Sequence, residues 1–403
     1  MTAAKTRIAS VDIFRALTML IMLWVNDFAG MANTPHWLHH AAMDEDMLGF
    51  SDLVFPAFLF CVGMSIPFAI RTRYRKGDSH LQVLLHIAVR TIALLIMGVF
   101  AMNMRGVEGG LSHSVFTLLA VAGYFLLWNV YPKVDGRNPW WVKVLKLVGA
   151  ALLIFLVIYK DCHGMPFRVG WWGILGLIGW SYLACALIYV FTQGKFRGIA
   201  IAWGVAILLC VLNSASFIPK EFSSRAIILG FYPGGWTHIA LTASGMLASA
   251  MLIRFVEEKA DKDEAERRKS VNNMLIYLFI IGVAMFCLGM VSHKFWIISK
   301  IQATPTWLFF CTAIYFPLFA LLYWIADVKG KTSWARPISP AGTATLTCYT
   351  IPYIWYAVQQ LIGAHWPAVL SSGALGLVRS MVFAFIIIFL TWLFGKCRIK
   401  MKI

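Results

Sequence analysis

The sequence predicts an all-α integral membrane protein, a polytopic bundle of about 12 transmembrane helices with both termini cytoplasmic. Three observations predict it. Hydrophobic residues make up 60% of the chain and charged ones 13%, against about 45–50% and 25% in soluble domains, and the mean hydropathy is +0.74. Apolar runs of about 18 residues or more, each able to cross a hydrocarbon core of roughly 30 Å, recur along the whole length. Basic residues crowd into alternate connections, as the positive-inside rule requires.

The spans fall near 9–28, 52–70, 83–102, 112–130, 144–160, 172–192, 198–216, 237–254, 272–291, 305–326, 341–362 and 374–394. Those near 144 and 198 are short or closely spaced, which leaves ten or eleven as the alternative count. The first run follows Lys5 and Arg7, yet it holds Asp12 and Arg15 and has no small-residue cleavage site. It is expected to stay as a span and not to be removed as a signal. No polar segment is long enough for a soluble domain, so residues 1–403 are expected to form one transmembrane domain. Residues 254–270 then make a charged cytoplasmic linker between helix groups. There Glu258/Lys262, Asp263/Arg267 and Glu264/Arg268 stand at i,i+4, which suits a solvated helical extension or a docking surface. Gly173, Gly176 and Gly179 lie on nearly one helical face, for close helix packing or a narrow substrate passage.

With the N-terminus inside, 25 of the 35 Lys and Arg residues occupy inner segments, 7 outer loops and 3 the spans. Contact with anionic headgroups therefore accounts for the net charge of +17, and no nucleic-acid partner is implied. Of the eight cysteines only Cys162 falls in an outer loop, so no disulfide framework is expected.

Polar chemistry is concentrated between the first two spans. Asn26 and Asp27 close the first, and His36, His39, His40, Asp44, Glu45 and Asp46 follow. Ser51 and Asp52 open the second. The residues leave three readings open: a metal site, a solvated loop, and acid–base work by an imidazole that exchanges a proton near neutral pH. The spacing matches no strong zinc signature. His40 and Asp44 are four apart, so on a helical turn the carboxylate would orient the ring. Ser51 reads as an N-cap, and Asp52 favours the positive end of the helix. Asp12 and Arg15, at i,i+3, form either a structural pair or one wall of a polar cavity. Arg90 and Arg379 lie in apolar runs near span ends, where they snorkel or touch a ligand. On these grounds alone a multi-span transporter of a small solute ranks first.

Longer motifs change that ranking. Ser10-Val11-Asp12-Ile13-Phe14-Arg15-Ala16-Leu17-Thr18, Val25-Asn26, His40-Ala41, Asp52-Leu53-Val54-Phe55-Pro56 and Phe58 to Ser65 resemble the opening of the heparan-α-glucosaminide N-acetyltransferase family of transmembrane acyltransferases. Ser299-Lys300, Trp307, Tyr323 to Gly330 and Trp334-Ala335 are similar to a later stretch of that family. Gly173 to Gly179 resembles a third motif only loosely, without its Gln and Arg. The His40–Asp52 interval is two residues longer than the family pattern, and Met43 stands where the family has Trp. The added acids suggest a bacterial subgroup with its own acceptor, placed in the cytoplasmic (inner) membrane.

The resemblance implies transfer of acetyl from cytoplasmic acetyl-CoA to the amino group of a glucosamine-type sugar or glycan at the outer face. The alternative acceptor is a hydroxyl of an envelope glycan. It implies His40 as general base, Asn26 as donor to the developing oxyanion or to the carbonyl, and Asp52 as the group that orients His40 or holds the sugar. Acceptor contacts are expected from Asp44, Asp46, Asp27 and Lys300. Donor contacts are expected from Arg15, Asp12, Arg71, Arg90 and Lys329. No metal is expected, membrane lipid is an expected partner, and a homodimer is left open.

Overall fold

The computed structural model describes residues 8–107, 110–135, 137–168, 173–215, 235–259 and 261–403. Lys5 and Arg7, used in the orientation argument, lie outside the described residues. Among the described residues there are thirteen α-helices and no strand, only three isolated bridges. The helices are α1 (Ala9–Phe28), α2 (Val54–Arg75), α3 (His80–Met102), α4 (His113–Trp128), α5 (Trp140–Cys162), α6 (Ile174–Phe191), α7 (Phe196–Ser214), α8 (Gly235–Phe255), α9 (Glu264–Ser292), α10 (Pro305–Tyr323), α11 (Ser339–Thr343), α12 (Thr345–Leu361) and α13 (Gly373–Lys396).

Among the described residues a helix overlaps each of the expected spans. Ten of them are long and apolar enough to cross a membrane, and the chain is a multi-pass membrane protein. The two that fall short are not the two that looked weak in sequence. Helices α5 and α7, expected to be marginal, qualify with 23 and 19 residues. Helix α4 has 16 residues, about 24 Å at 1.5 Å per residue. The run at 341–362 is interrupted at Ala344, which leaves α11 with 5 residues and α12 with 17.

The chain divides into two compact units. The first comprises residues 1–18, 35–92 and 177–336, and the second residues 19–34, 93–176 and 337–403. In the first, the amino end of α1 is capped from a distant part of the sequence: the N–H groups of Ala9 and Ser10 donate to the two carboxylate oxygens of Asp327, both at 2.9 Å. Asp327 sits in a π-helical turn, Trp324–Val328, that continues α10. A carboxylate at a helix N-terminus satisfies donors that have no intrahelical acceptor. Two of the recognised motifs therefore meet here. A third joins them, because Arg15 Nη2 donates to Ser65 Oγ at 2.6 Å.

Helices α2 and α8 lie backbone to backbone. A Cβ on Gly63 would overlap the carbonyl oxygen of Thr242, and one on Gly245 would overlap that of Phe60. Ser249 Oγ donates to Met64 O at 2.8 Å beside them. Gly63→Ala or Gly245→Ala should therefore lower the thermal unfolding midpoint, at a cost of about 1–3 kcal/mol of overpacking. Gly204→Ala on α7, where a Cβ meets nothing within 4 Å, should leave the midpoint unchanged or raise it. Equal midpoints in all three variants would contradict the close approach.

In the second unit α3 and α6 make a similar approach, since a Cβ on Gly173 would come 2.7 Å from Gly98 O. This is the packing read from the glycine face. Lys160, in the last turn of α5, is buried and donates to Asn103 O at 2.8 Å. Within the charged segment at 254–270, α8 ends at Phe255 and α9 begins at Glu264. Asp263 caps α9 by accepting from Glu266 N at 2.7 Å, while Glu264 pairs with Arg268 at 3.0 Å.

Candidate active site

The connection from α1 to α2 is mostly irregular, with short 3-10 turns at His36–Leu38 and Phe50–Leu53. Because residues 40–44 are not helical, the i,i+4 geometry that would pair His40 with Asp44 does not arise. Asp52 pairs with His40 instead. Its Oδ1 lies 2.7 Å from His40 Nδ1, and its Oδ2 accepts the N–H of Ala41 at 3.0 Å. The Asp52 side chain is 2% exposed and that of His40 is 42% exposed. A buried carboxylate thus holds an imidazole at the edge of solvent.

Three further groups fix Asp52 and its turn. Trp307 Nε1 donates to Asp52 O at 3.3 Å, and Tyr315 Oη donates to Leu53 O. Ser51 is no N-cap, because its hydroxyl donates to Leu38 O and ties the turn back to the His-rich loop. Gly49 is required for space: a Cβ there would overlap His39 O and come 3.1 Å from Asp52 Oδ2.

Lys300 completes the group, with Nζ 3.1 Å from His40 Nδ1 and 3.5 Å from Asp52 Oδ1. Burial pushes its ammonium below the ordinary lysine value, and the Asp52 carboxylate opposes that shift. The carboxylate only accepts and the ammonium only donates. The shorter contact therefore assigns the proton on Nδ1 to Asp52, and Lys300 then serves the carboxylate. That leaves the Nε2 lone pair of His40 free to accept a proton, the arrangement of a base held by an orienting acid.

The loop containing Lys300 is latched to the His-rich loop. Asp46 accepts from Ile298 N at 2.8 Å and meets His293 Nε2 at 2.7 Å. Met43 O accepts from Ser299 Oγ at 3.1 Å and Gln302 Nε2 at 2.7 Å. The Ile298 N–H, then His293, hold the Asp46 carboxyl below its ordinary value. Hydrogen bonds from His36 and from Ala42 N do the same for Glu45. Asp46, expected to touch the acceptor, is therefore already committed to the fold, and only Asp44 of the three acids stays exposed without such a latch among the described residues.

The remaining expected residues are dispersed. Asp12, Arg15 and Arg71 do come together. With Ser65, Arg75 and Glu257 they line a cavity of 570 Å³ at the amino end of α1 and the carboxyl end of α2. Asp12 and Arg15 pair at 3.4 Å, and Arg71 pairs with Glu257 at 2.7 Å. Arg90 is elsewhere, its guanidinium 4.6 Å above the ring of Tyr182. Lys329 lines a separate cavity of 720 Å³ with Arg267, Arg268 and Trp324.

Asn26 and Asp27 belong to the second unit. Asn26 is exposed. Asp27 is not available to a substrate in this structure: its side chain is 2% exposed, paired with Arg379 at 2.9 Å and bonded by Tyr356 Oη at 2.6 Å. Arg379 thus forms a buried ion pair where snorkelling or ligand contact was expected. Sequence reasoning missed His238, a buried residue on α8 against Phe55 and Trp307, because an isolated histidine in an apolar run carries no spacing signal. Among the described residues no three His, Cys, Asp or Glu side chains gather as a metal ion requires.

Comparison with known proteins agrees with the motifs. The family model described as a domain of unknown function, DUF5009, matches residues 7–232, more than half of the chain. The chain belongs to the DUF5009 family. It is also 33% identical over 113 residues to the heparan-alpha-glucosaminide N-acetyltransferase of Homo sapiens, and 32% identical over 111 residues to that of Mus musculus. The matched segments cover 28% and 27% of this chain, and 16% of the length of each relative. This similarity bears out the resemblance read from the motifs.

Proposed function

We propose that this protein is a transmembrane acetyltransferase that moves acetyl from cytoplasmic acetyl-CoA to the amino group of a glucosamine-type sugar at the outer face. The observation that carries the reading is the His40–Asp52 pair, held by Lys300 and Trp307. The two stretches that resemble the acetyltransferase family, some 250 residues apart, supply its four members.

In this reading the acceptor nitrogen attacks the thioester carbonyl. A C–N bond forms, the C–S bond breaks, and one amine proton passes to His40 Nε2 and from there to the departing sulfur. The products are the N-acetyl sugar and free CoA thiol. Asp52 orients His40 and stabilises the imidazolium. Asn26 belongs to the second unit, and its expected role as oxyanion donor rests on the resemblance alone. The donor enters at the cavity of Asp12, Arg15, Arg71 and Arg75, whose guanidinium groups suit phosphates. Ser65 in that cavity and Asp52 are separated along α2 by about 20 Å of helix, a span that an extended acyl-carrying arm can bridge. Arg90 and Lys329 lie outside this cavity and are left without a donor role.

The deciding assay incubates purified protein with acetyl-CoA and glucosamine and follows free thiol and acetylated sugar. Stoichiometric appearance of both supports the reading. Solute flux into proteoliposomes without thiol release would replace it with a transporter, and acetylation of a hydroxyl alone would change the acceptor. Sidedness is tested by external labelling in a background without native cysteines. A cysteine at Ala42 should be reached and one at Tyr74 or Glu264 should not, and labelling at Tyr74 would reverse the orientation.

Asp44 is the acid left to attract a cationic sugar. Asp44→Asn should raise KM for glucosamine more at low salt than at high, because exposed charges are screened over about 10 Å at 0.1 M, and leave kcat nearly unchanged. A KM independent of both the substitution and the salt would show that Asp44 only keeps the loop solvated.

A further inference from the structure

The turn between α6 and α7 carries cations that acetyl transfer does not use. Gly194 stands there at φ +67°, and a Cβ would come 2.7 Å from Tyr189 Oη. Both the left-handed backbone and the close hydroxyl call for glycine. The turn is closed by Gly194 N donating to Tyr189 O at 2.9 Å and Lys195 N to Thr192 O at 2.9 Å. It sets Lys195 at the N-cap of α7 and Arg197 in the first turn. No side chain caps that end, so its positive dipole end stays open to an anion. Arg254, in the last turn of α8, holds its guanidinium 4.8 Å above the ring of Phe196. Together these residues line a cavity of 560 Å³ in which Glu258 is the one acid. Three cations against one carboxylate select an anion.

A second, independent observation says which anion. Arg197, Ile201, Val205 and Leu208 follow one another at spacings of 4, 4 and 3 and so share one face of α7. Ile201 is 68% exposed, Val205 47% and Leu208 54%. The stripe runs about 16 Å down the helix from Arg197. A soluble phosphate would use the cavity and leave the stripe idle, whereas a lipid uses both. We propose that this cavity binds the headgroup of an anionic phospholipid, with the phosphate held by Lys195, Arg197 and Arg254 and an acyl chain lying along Ile201, Val205 and Leu208. Basic pockets at the ends of membrane helices have the chemistry for such headgroups. The site does not depend on the acetyl-transfer reading.

Native mass spectrometry of the full chain in detergent, titrated with phosphatidylglycerol or phosphatidylcholine of equal chain length, tests this. Phosphatidylglycerol should be retained preferentially. The triple variant Lys195→Gln, Arg197→Gln, Arg254→Gln should lose at least about tenfold in its affinity, since it removes the charge-assisted contacts to the phosphate. A control that neutralises Lys143, Lys146 and Arg137 in the second unit should bind as the wild type does. Arg197→Gln alone, at an exposed position, should reduce retention in the same direction if the triple variant does not fold. Unchanged retention in the variants, or equal loss in the control, overturns the site. Glycerol 1-phosphate that displaces the lipid at equal concentration would overturn the lipid assignment in favour of free phosphate.

Discussion

His40→Ala should reduce thiol release from acetyl-CoA in the presence of glucosamine by about 10²–10⁴, in protein that still inserts and melts normally. The side chain is 42% exposed, so its removal opens no cavity, and a loss of that size would be chemical. Asp52→Asn should cost a similar factor for a different reason. An amide can donate to Nδ1 where the carboxylate can only accept, which moves the ring proton to Nε2 and removes the base. That change keeps the volume of Asp52 and its acceptor for Ala41 N. His39→Ala should be milder, because it leaves the bonds of the Asp52 carboxylate to His40 and to Ala41 N in place. Equal losses in His39→Ala and His40→Ala, or a near-normal rate in His40→Ala, would remove His40 from the reaction.

The helices were legible because their signal is local. A run of about 20 apolar residues specifies a span by length alone, and among the described residues a helix overlaps each of the twelve runs, ten of these helices being long and apolar enough to cross a membrane. The break at Ala344 was hidden because apolarity continues across it. At the site, legibility ended where contacts became non-local. Spacing offered Asp44 as the partner of His40, a rule that holds only on a helix, and the loop is not one. The true partner, Asp52, is recognisable from the motif, but its fixation by Trp307 and Lys300 joins segments about 250 residues apart. Asp46 and Asp27 looked available for a substrate because their partners lie far along the chain. Asp46 finds its partners at His293 and Ile298, and Asp27 finds its own at Arg379 and Tyr356. A charged residue at the end of an apolar run reads the same whether it serves a ligand or a distant helix.

Gly49→Ala should cost about 10² in turnover although it removes no chemical group. Gly49 adopts φ −63°, ψ 148°, a conformation open to any residue, so backbone strain is not the reason. The added Cβ would overlap His39 O and approach Asp52 Oδ2 to 3.1 Å. Neither neighbour yields freely. His39 O belongs to the peptide that leads into His40, and Asp52 Oδ2 is held by Ala41 N. Relief therefore comes from moving the His39–Ala41 segment away from Asp52, which stretches the 2.7 Å contact between His40 and its carboxylate. A displacement of about 1 Å in a catalytic group is enough for a loss of this order. The substitution lies in a loop outside the helix contacts of α2 and α8, so the unfolding midpoint should change much less than in Gly63→Ala. Normal turnover in Gly49→Ala would mean that the register between His40 and Asp52 is not what the reaction depends on, and the assignment of the pair would fail with it.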